Sequence, residues 1–287
     1  MSMRRPALGI VVLALVLAAA CGGTPPGPAP APLNILITND DGIEAPGILA
    51  LAEALRPLGE VTVAAPRHQR SGTSHGVTSD RPIAVQESER RGQRWIAIDA
   101  LPATCVRLAV EALLPARPDL VVSGINRGEN LGTVTFYSAT VGAAREAAFL
   151  GFPAMAVNLA AADGMDYGTA ASVTAAIVRA LGRDGIAKGT FLNVNVPALP
   201  RERLRGIRIT RQDTRAPKDL FEKTISPDGS AAYTPRWEHL EPAGADTDIW
   251  AVRNGYVSVS VFGYDQSAAA PPAVFGSLKR LESISLR

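Results

Sequence analysis

Short apolar, β-branched runs recur along the chain with helical patterns between them, and this alternation restricts the possible folds more than any other feature. Residues 34–38, 61–65, 120–123, 154–159 and 191–196 predict strands, while 46–58, 102–114, 140–150 and 169–181 predict helices. A strand-helix-strand rhythm lays successive strands side by side in one direction, so the expected fold class is α/β, with a largely parallel sheet flanked by helices. The run Leu120-Val121-Val122-Ser123 is nearly continuous in its apolar character, as a strand covered on both faces should be. Beyond Pro200 the sequence turns charged and proline-punctuated. Residues 211–238 predict an extended arm or hairpin, 256–262 a further strand, and 275–286 a short helix, with no internal repeat.

At 287 residues, 47% hydrophobic and 20% charged, the chain has material for a substantial core. Its charge narrows the choice of partners. Setting aside Arg4 and Arg5 leaves 27 basic against 27 acidic residues, so the body is neutral. A neutral body lacks the field that long nucleic acids require, and any phosphate must be held at a local site.

The first twenty residues read as an export signal: Arg4 and Arg5 precede an uncharged stretch from Ala7 to Ala20, too short for a comfortable membrane span. Leu17-Ala18-Ala19-Ala20-Cys21 resembles a bacterial lipoprotein cleavage box, in which the cysteine becomes the lipid-bearing first residue; the alternative is an ordinary secretory signal. Residues 21–32 are almost entirely Gly, Pro and Ala after the cysteine, which suits a solvated tether, and the globular domain would occupy 33–287. The expected location is therefore periplasmic or membrane-anchored through the lipid alone. The other cysteine, Cys105, lies in an apolar-periodic run and reads as a buried, inert thiol.

Asn39-Asp40-Asp41-Gly42 sits where the first strand should end, ahead of a helix whose start Pro46 marks. Asp-Gly is also an ordinary turn signal. Position favours a site, because ligands of open α/β sheets bind beyond the carboxyl ends of strands. Adjacent carboxylates resist joint ionisation unless a cation compensates them, and a hard divalent ion prefers oxygen ligands. Neutral oxygens are on offer in the loops after the second and third predicted strands, as Ser71 and Asn126, although each also suits a turn. Ser138 and Thr140 open a helix, where such residues cap the backbone and where an anion can also dock.

These segments resemble the SurE family of metal-dependent nucleotidases over most of the chain, through Thr38-Asn-Asp-Asp-Gly-Ile-Glu-Ala-Pro-Gly47, Gln69-Arg-Ser-Gly-Thr-Ser-His75, Val121-Val-Ser-Gly-Ile-Asn-Arg-Gly128, Tyr137-Ser-Ala-Thr-Val-Gly-Ala-Ala-Arg-Glu-Ala147 and Asn193-Val-Asn-Val-Pro197. The resemblance implies a Rossmann-like core and one divalent cation, Mg²⁺ or Mn²⁺, on Asp40, Asp41, Ser71 and Asn126, with the two acids at the catalytic centre. It places Asn39, Asn130, Ser138 and Thr140 near the substrate phosphate. It implies hydrolysis of nucleoside 5'- or 3'-monophosphates and homodimers or homotetramers that exchange arms such as 211–238. Departures fall at Ala100-Leu101-Pro102, where the family shows Gly-Thr-Pro, and at Ala139, where a glycine is usual. Gly76, Arg67, Glu129 and Thr133 stand where Ser, Asp, Pro and Asp are common. Ala139 adds a methyl beside the expected phosphate site, and together Ala100, Leu101 and Ala139 motivate an alternative: an exported lipoprotein that binds nucleotide or phosphate with little turnover.

Gly72-Thr73-Ser74-His75-Gly76 spells the nucleophile elbow of serine hydrolases, but without the strand-to-helix context that the elbow needs. No H-E-x-x-H, Walker A or G-x-G-x-x-G pattern occurs. For the proton step the candidates are Asp40, Asp41 and His75.

Overall fold

The computed structural model describes residues 32–265 apart from 184, 217, 239 and 240, so the proposed signal, Cys21, nearly all of the tether and the helix expected at 275–286 lie outside the described residues. In chain order the strands are β1 (Leu33–Thr38), β2 (Gly59–Pro66), β3 (Val85–Arg90), β4 (Gln93–Ile98), β5 (Leu120–Arg127), β6 (Ala154–Leu159), β7 (Thr190–Val196), β8 (Ile207–Thr210), β9 (Lys218–Ile225), β10 (Ala231–Glu238) and β11 (Val257–Gly263). The helices are α1 (Pro46–Leu55), α2 (Pro102–Leu108), α3 (Ala139–Phe149), α4 (Tyr167–Leu181) and α5 (Asp248–Arg253).

Nine strands make one sheet in the order β3-β4-β2-β1-β5-β6-β7-β11-β8, and β9 and β10 pair separately as the expected hairpin. From β4 to β7 every pairing is parallel, while β3 and β11 run antiparallel to their inner neighbours, giving the Rossmann-like α/β fold. The sheet is covered on both faces, as its apolar strands require. Ile35 and Ile37 point into a core completed by Ile48, Leu51 and Leu55 of α1 and by Val178 of α4. Leu36, between them, points into the opposite core with Val106 of α2 and Val141 and Ala144 of α3. Cys105 is fully buried in that second core, and burial pushes its thiol far above the ordinary range.

Three elements differ from the sequence reading. Helix 46–58 closes at Leu55, and Arg56-Pro57-Leu58 continue as a tighter 3₁₀ turn. The helix expected at 102–114 is α-helical to Leu108 and then widens into a π turn over Ala109–Leu113. The hairpin β3–β4, which the sequence reading does not contain, turns at Arg91 and Gly92 with both φ angles positive, 51° and 75°.

The chain passes from β1 to β2 on one side and later returns to β5 on the other, so strand order reverses at the β1/β5 boundary. A crevice opens beyond the carboxyl ends of two such strands. β5 also runs four residues past Ser123, with a register shift against β6 between Ser123 and Asn126. That bulge puts Asn126 on the irregular end of a strand instead of in a free loop.

Candidate active site

Residues far apart in sequence meet in this crevice. Asp40, Ser71, Asn126, Asn130 and Ser138 line one cavity of about 340 Å3. Each comes from a different tie to the sheet. Asp40 follows β1, where its main-chain oxygen accepts from Arg70 N at 2.6 Å, so the acid loop and the segment carrying Ser71 are joined directly.

The loop after β2 is docked on α3. Ser74 donates from its main-chain N to Tyr137 O at 3.1 Å and from its hydroxyl to Phe136 O at 2.5 Å. His75 Nε2 meets Glu146 Oε2 at 2.7 Å, and Glu146, nearly buried, also receives Arg107. Gly142 permits the close approach, since a Cβ there would stand 2.4 Å from Ser74 O. The same contacts settle two sequence questions. The Ser74 hydroxyl is occupied by a carbonyl and no helix follows it, so the elbow reading has no structural basis. His75 is engaged by Glu146 and is not among the residues that line the cavity.

Asn130 is held from behind by three fully buried asparagines on neighbouring strands. Its Nδ2 donates to Asn158 Oδ1 at 2.7 Å, its main-chain N to Asn195 Oδ1 at 2.9 Å, and its carbonyl accepts from Asn193 and Asn195. Asn158 in turn donates to Asn193 Oδ1 and Val194 O, each at 2.9 Å. The base of the β9–β10 arm supports the wall beside it: Gln212 donates to Gly132 O and Thr135 Oγ1, and Asp248 accepts from Gly132 N and Asp213 N. Of these residues, Asn193 and Asn195 entered the sequence reading only within the Asn193–Pro197 motif, and Asn158, Gln212 and Asp248 were not singled out. The Asn193-x-Asn195 repeat within a strand, two polar groups on a buried face, was the available signal.

Ser138 is the N-cap of α3, accepting from Val141 N at 3.1 Å while also lining the cavity. Thr140 is fully buried and donates to Asp40 Oδ1 at 2.6 Å, so it fixes the acid from beneath and does not open onto the cavity. Asn39 is likewise fully buried, its Nδ2 donating to Gly42 O at 2.7 Å. The structure thus brings Asn130 and Ser138 to the cavity wall but not Asn39 or Thr140. Asp41 borders an adjoining cavity, its Oδ2 accepting from Arg127 N at 3.0 Å. Ala139 is buried at the start of α3 and is absent from the cavity wall, so its extra methyl does not narrow the space as its position in the sequence suggested.

Electrostatics favour a cation. Burial pushes the Asp40 carboxyl up to about 6, against the Thr140 hydrogen bond, and the charge of Asp41 adds to the rise. Burial also raises Asp41, opposed by its bond from Arg127 N. The oxygen of Asn126 is free to face a ligand because its Nδ2 is spent on Gly128 O at 2.8 Å. Beneath Asp40, Asn39 Oδ1 is buried without a hydrogen-bond partner. Among the described residues no group of three or more His, Cys, Asp or Glu side chains gathers as a metal site. The donor set of two carboxylates, a hydroxyl and an amide oxygen fits a hard oxygen-loving dication and not a soft metal.

Comparison with known proteins agrees with this geometry. The family model described as Survival protein SurE matches residues 35–219. The 5'-nucleotidase SurE of Natranaerobius thermophilus is 42% identical over 242 residues, covering 81% of this chain and 93% of its own. The 5'/3'-nucleotidase SurE of Cronobacter sakazakii is 46% identical over 239 residues, covering 82% and 92%. The crystal structure of the SurE protein from Aquifex aeolicus superposes with a TM-score of 0.75 at 40% identity, over 86% of this chain and 99% of that one. The chain belongs to the SurE family.

Proposed function

We infer that the chain is a divalent-metal-dependent phosphomonoesterase that hydrolyses nucleoside 5'- and 3'-monophosphates to nucleoside and phosphate. The observation that carries this reading is the convergence of Asp40, Ser71 and Asn126 on one cavity that Asn130 and Ser138 also line. The names of the two nucleotidase relatives support the substrate class.

Phosphate-monoester hydrolysis asks for a barrier reduction on the order of 20 kcal/mol, which points to electrostatics as the main contributor. Asp40, Asp41, Ser71 and Asn126 would hold Mg²⁺ or Mn²⁺. When bound, the ion supplies Lewis-acid stabilisation of charge on the phosphoryl oxygens. The protein does the rest. Thr140 keeps the Asp40 carboxylate in one orientation, and the bulged end of β5 presents the Asn126 oxygen. Asn130 and Ser138 flank the space a phosphoryl group would fill, and the start of α3 contributes its positive dipole end. Purified protein should hydrolyse nucleoside monophosphates with Mg²⁺ or Mn²⁺ and lose all turnover in excess chelator. Tight metal-dependent nucleotide binding without phosphate release would instead identify a binding lipoprotein, and chelator-insensitive hydrolysis would reject the metal assignment.

We also infer export and lipidation at Cys21, supported by the Arg4-Arg5 start, the apolar stretch to Ala20 and the Gly/Pro/Ala segment that follows. Labelled fatty acid should enter the protein in a bacterial host and should not enter the Cys21→Ser variant; label independent of Cys21 refutes it. Association into homodimers or homotetramers through the β9–β10 hairpin is supported by its exposed Phe221, Ile225 and Tyr233.

A further inference from the structure

Ser71 stands five residues past the end of β2, in a segment without helix or strand, so its position depends on what ties that segment down. On the near side Arg70 N is bonded to Asp40 O. Thr73 Oγ1 donates to Arg70 O at 2.8 Å and Gly76 N to Thr73 O at 3.0 Å, which folds the segment into consecutive turns. On the far side the first fixed point is Ser74, whose bonds to Phe136 O and Tyr137 O fall on the two residues just before the Ser138 cap of α3. Only Ser71, Gly72 and Thr73 lie between the two fixed points, so a shift of Ser74 passes to the Ser71 hydroxyl.

Ser74 is held in an unfavourable conformation. Its φ of 54° lies in the left-handed region, where a side chain crowds the backbone, and among the described residues Arg91 is the only other non-glycine there. A residue in such a conformation persists only where its surroundings over-determine it. The next residue supplies a restraint that the two carbonyl bonds do not. His75 Nε2 meets Glu146 Oε2 at 2.7 Å in the body of α3, and the Glu146 side chain is only 4% exposed. Burial pushes that carboxyl up, but the bonds from His75 and from Arg107 of α2 outweigh it and hold the group below the ordinary range, so Glu146 is a charged acceptor. Bonds to a charged acceptor are stronger than neutral ones. Gly142, one turn earlier on the same face of α3, leaves room for the contact, since a Cβ there would stand 3.0 Å from His75 Cα.

We propose that His75 is a positioning residue for the metal site: its bond to Glu146 latches the Ser71 segment onto α3, keeps Ser74 left-handed and so sets where the Ser71 hydroxyl stands relative to Asp40. The proposal rests on the metal reading of the cavity. The latch joins two parts of the site into one body, because α3 also carries Ser138 at its start. Arg107 shares Glu146 but reaches it from α2, so its bond places no restraint on the Ser71 segment.

The test measures Mn²⁺ affinity of the full chain by titration calorimetry. His75→Ala should bind Mn²⁺ about tenfold more weakly than the parent, the effect of losing a group that orients a ligand. His75→Gln returns an N–H donor near the place of Nε2 and should recover to within about threefold of the parent. Glu146→Leu should match His75→Ala, and the double variant should lose no more than the worse single one, because both break the same contact. Arg107→Gln should stay within about twofold of the parent. With metal absent, the Ser74 amide should exchange its hydrogen about tenfold faster in His75→Ala, and at the parent's rate in Arg107→Gln. Mn²⁺ affinity unchanged in His75→Ala, or reduced as much in Arg107→Gln, overturns the latch. If Glu146→Leu does not fold, the two His75 variants still decide. A parent that binds no Mn²⁺ refutes the metal reading instead, and Ser74 exchange then judges the latch by itself: faster exchange in His75→Ala upholds its hold on the segment, and an unchanged rate rejects it.

Discussion

Asp40→Asn should bind Mn²⁺ at least about a hundredfold more weakly than the parent, since even partners that only support a ligand are worth 10–100-fold. Yet with both proteins free of metal at pH 7, the variant should be the more stable. The reason is the position of the group. Burial holds Asp40 near 6, against 3.8 for a free carboxyl, so forcing it to ionise in the fold costs about 3 kcal/mol at neutral pH. Asparagine is neutral, and its oxygen can still accept from Thr140. Between about pH 4 and pH 6 the folded protein binds this proton and the unfolded chain does not. The stabilisation by the protonated group is therefore complete below the lower value and disappears as pH rises through the upper one. Urea unfolding in chelator at pH 4.5 and pH 7 should show the parent losing stability relative to Asp40→Asn as pH rises, and Mn²⁺ should restore the parent only. A parent as stable as the variant at pH 7 without metal would mean that the site is not strained by its own charge.

Asn158→Leu should destabilise the protein by about 3 kcal/mol or more, although leucine keeps the same branched heavy-atom frame. Leucine leaves the Asn130 amide, Asn193 Oδ1 and the side-chain bond to Val194 O without their partner, all in buried positions. Each unpaired buried group costs about 1–3 kcal/mol. Because Asn130 lines the cavity, the loss should extend to the site, and turnover should fall in the fraction that remains folded. A urea midpoint unchanged from the parent would show that the asparagine relay does not fasten the loop after β5.

How much of this was legible in the sequence follows from the range of the interactions involved. The strands β1, β2, β5, β6 and β7 could be read because burial on both faces makes them continuous apolar runs. β3 could not. Its residues Glu87, Ser88, Glu89 and Arg90 lie at the sheet margin with no apolar face to reveal them, and its turn uses Arg91-Gly92 where asparagine or aspartate would have announced a hairpin. At the site, Asp40, Ser71 and Asn126 stood out because each combines an oxygen side chain with the end of a strand. Thr140 and Asn39 were expected at the phosphate, but both are buried, Thr140 against Asp40, 100 residues away in sequence, and Asn39 with its amide on Gly42 O.

The sheet ends in two quite different outer strands, β3 and β8. β3 carries acid and base along its length, and a foreign strand laid beside it would meet like charges and a mismatch of sign. β8 is four residues long, with Ile207 and Ile209 exposed. Each margin of the sheet thus carries one of the usual guards against stray strand pairing, charge along β3 and shortness at β8.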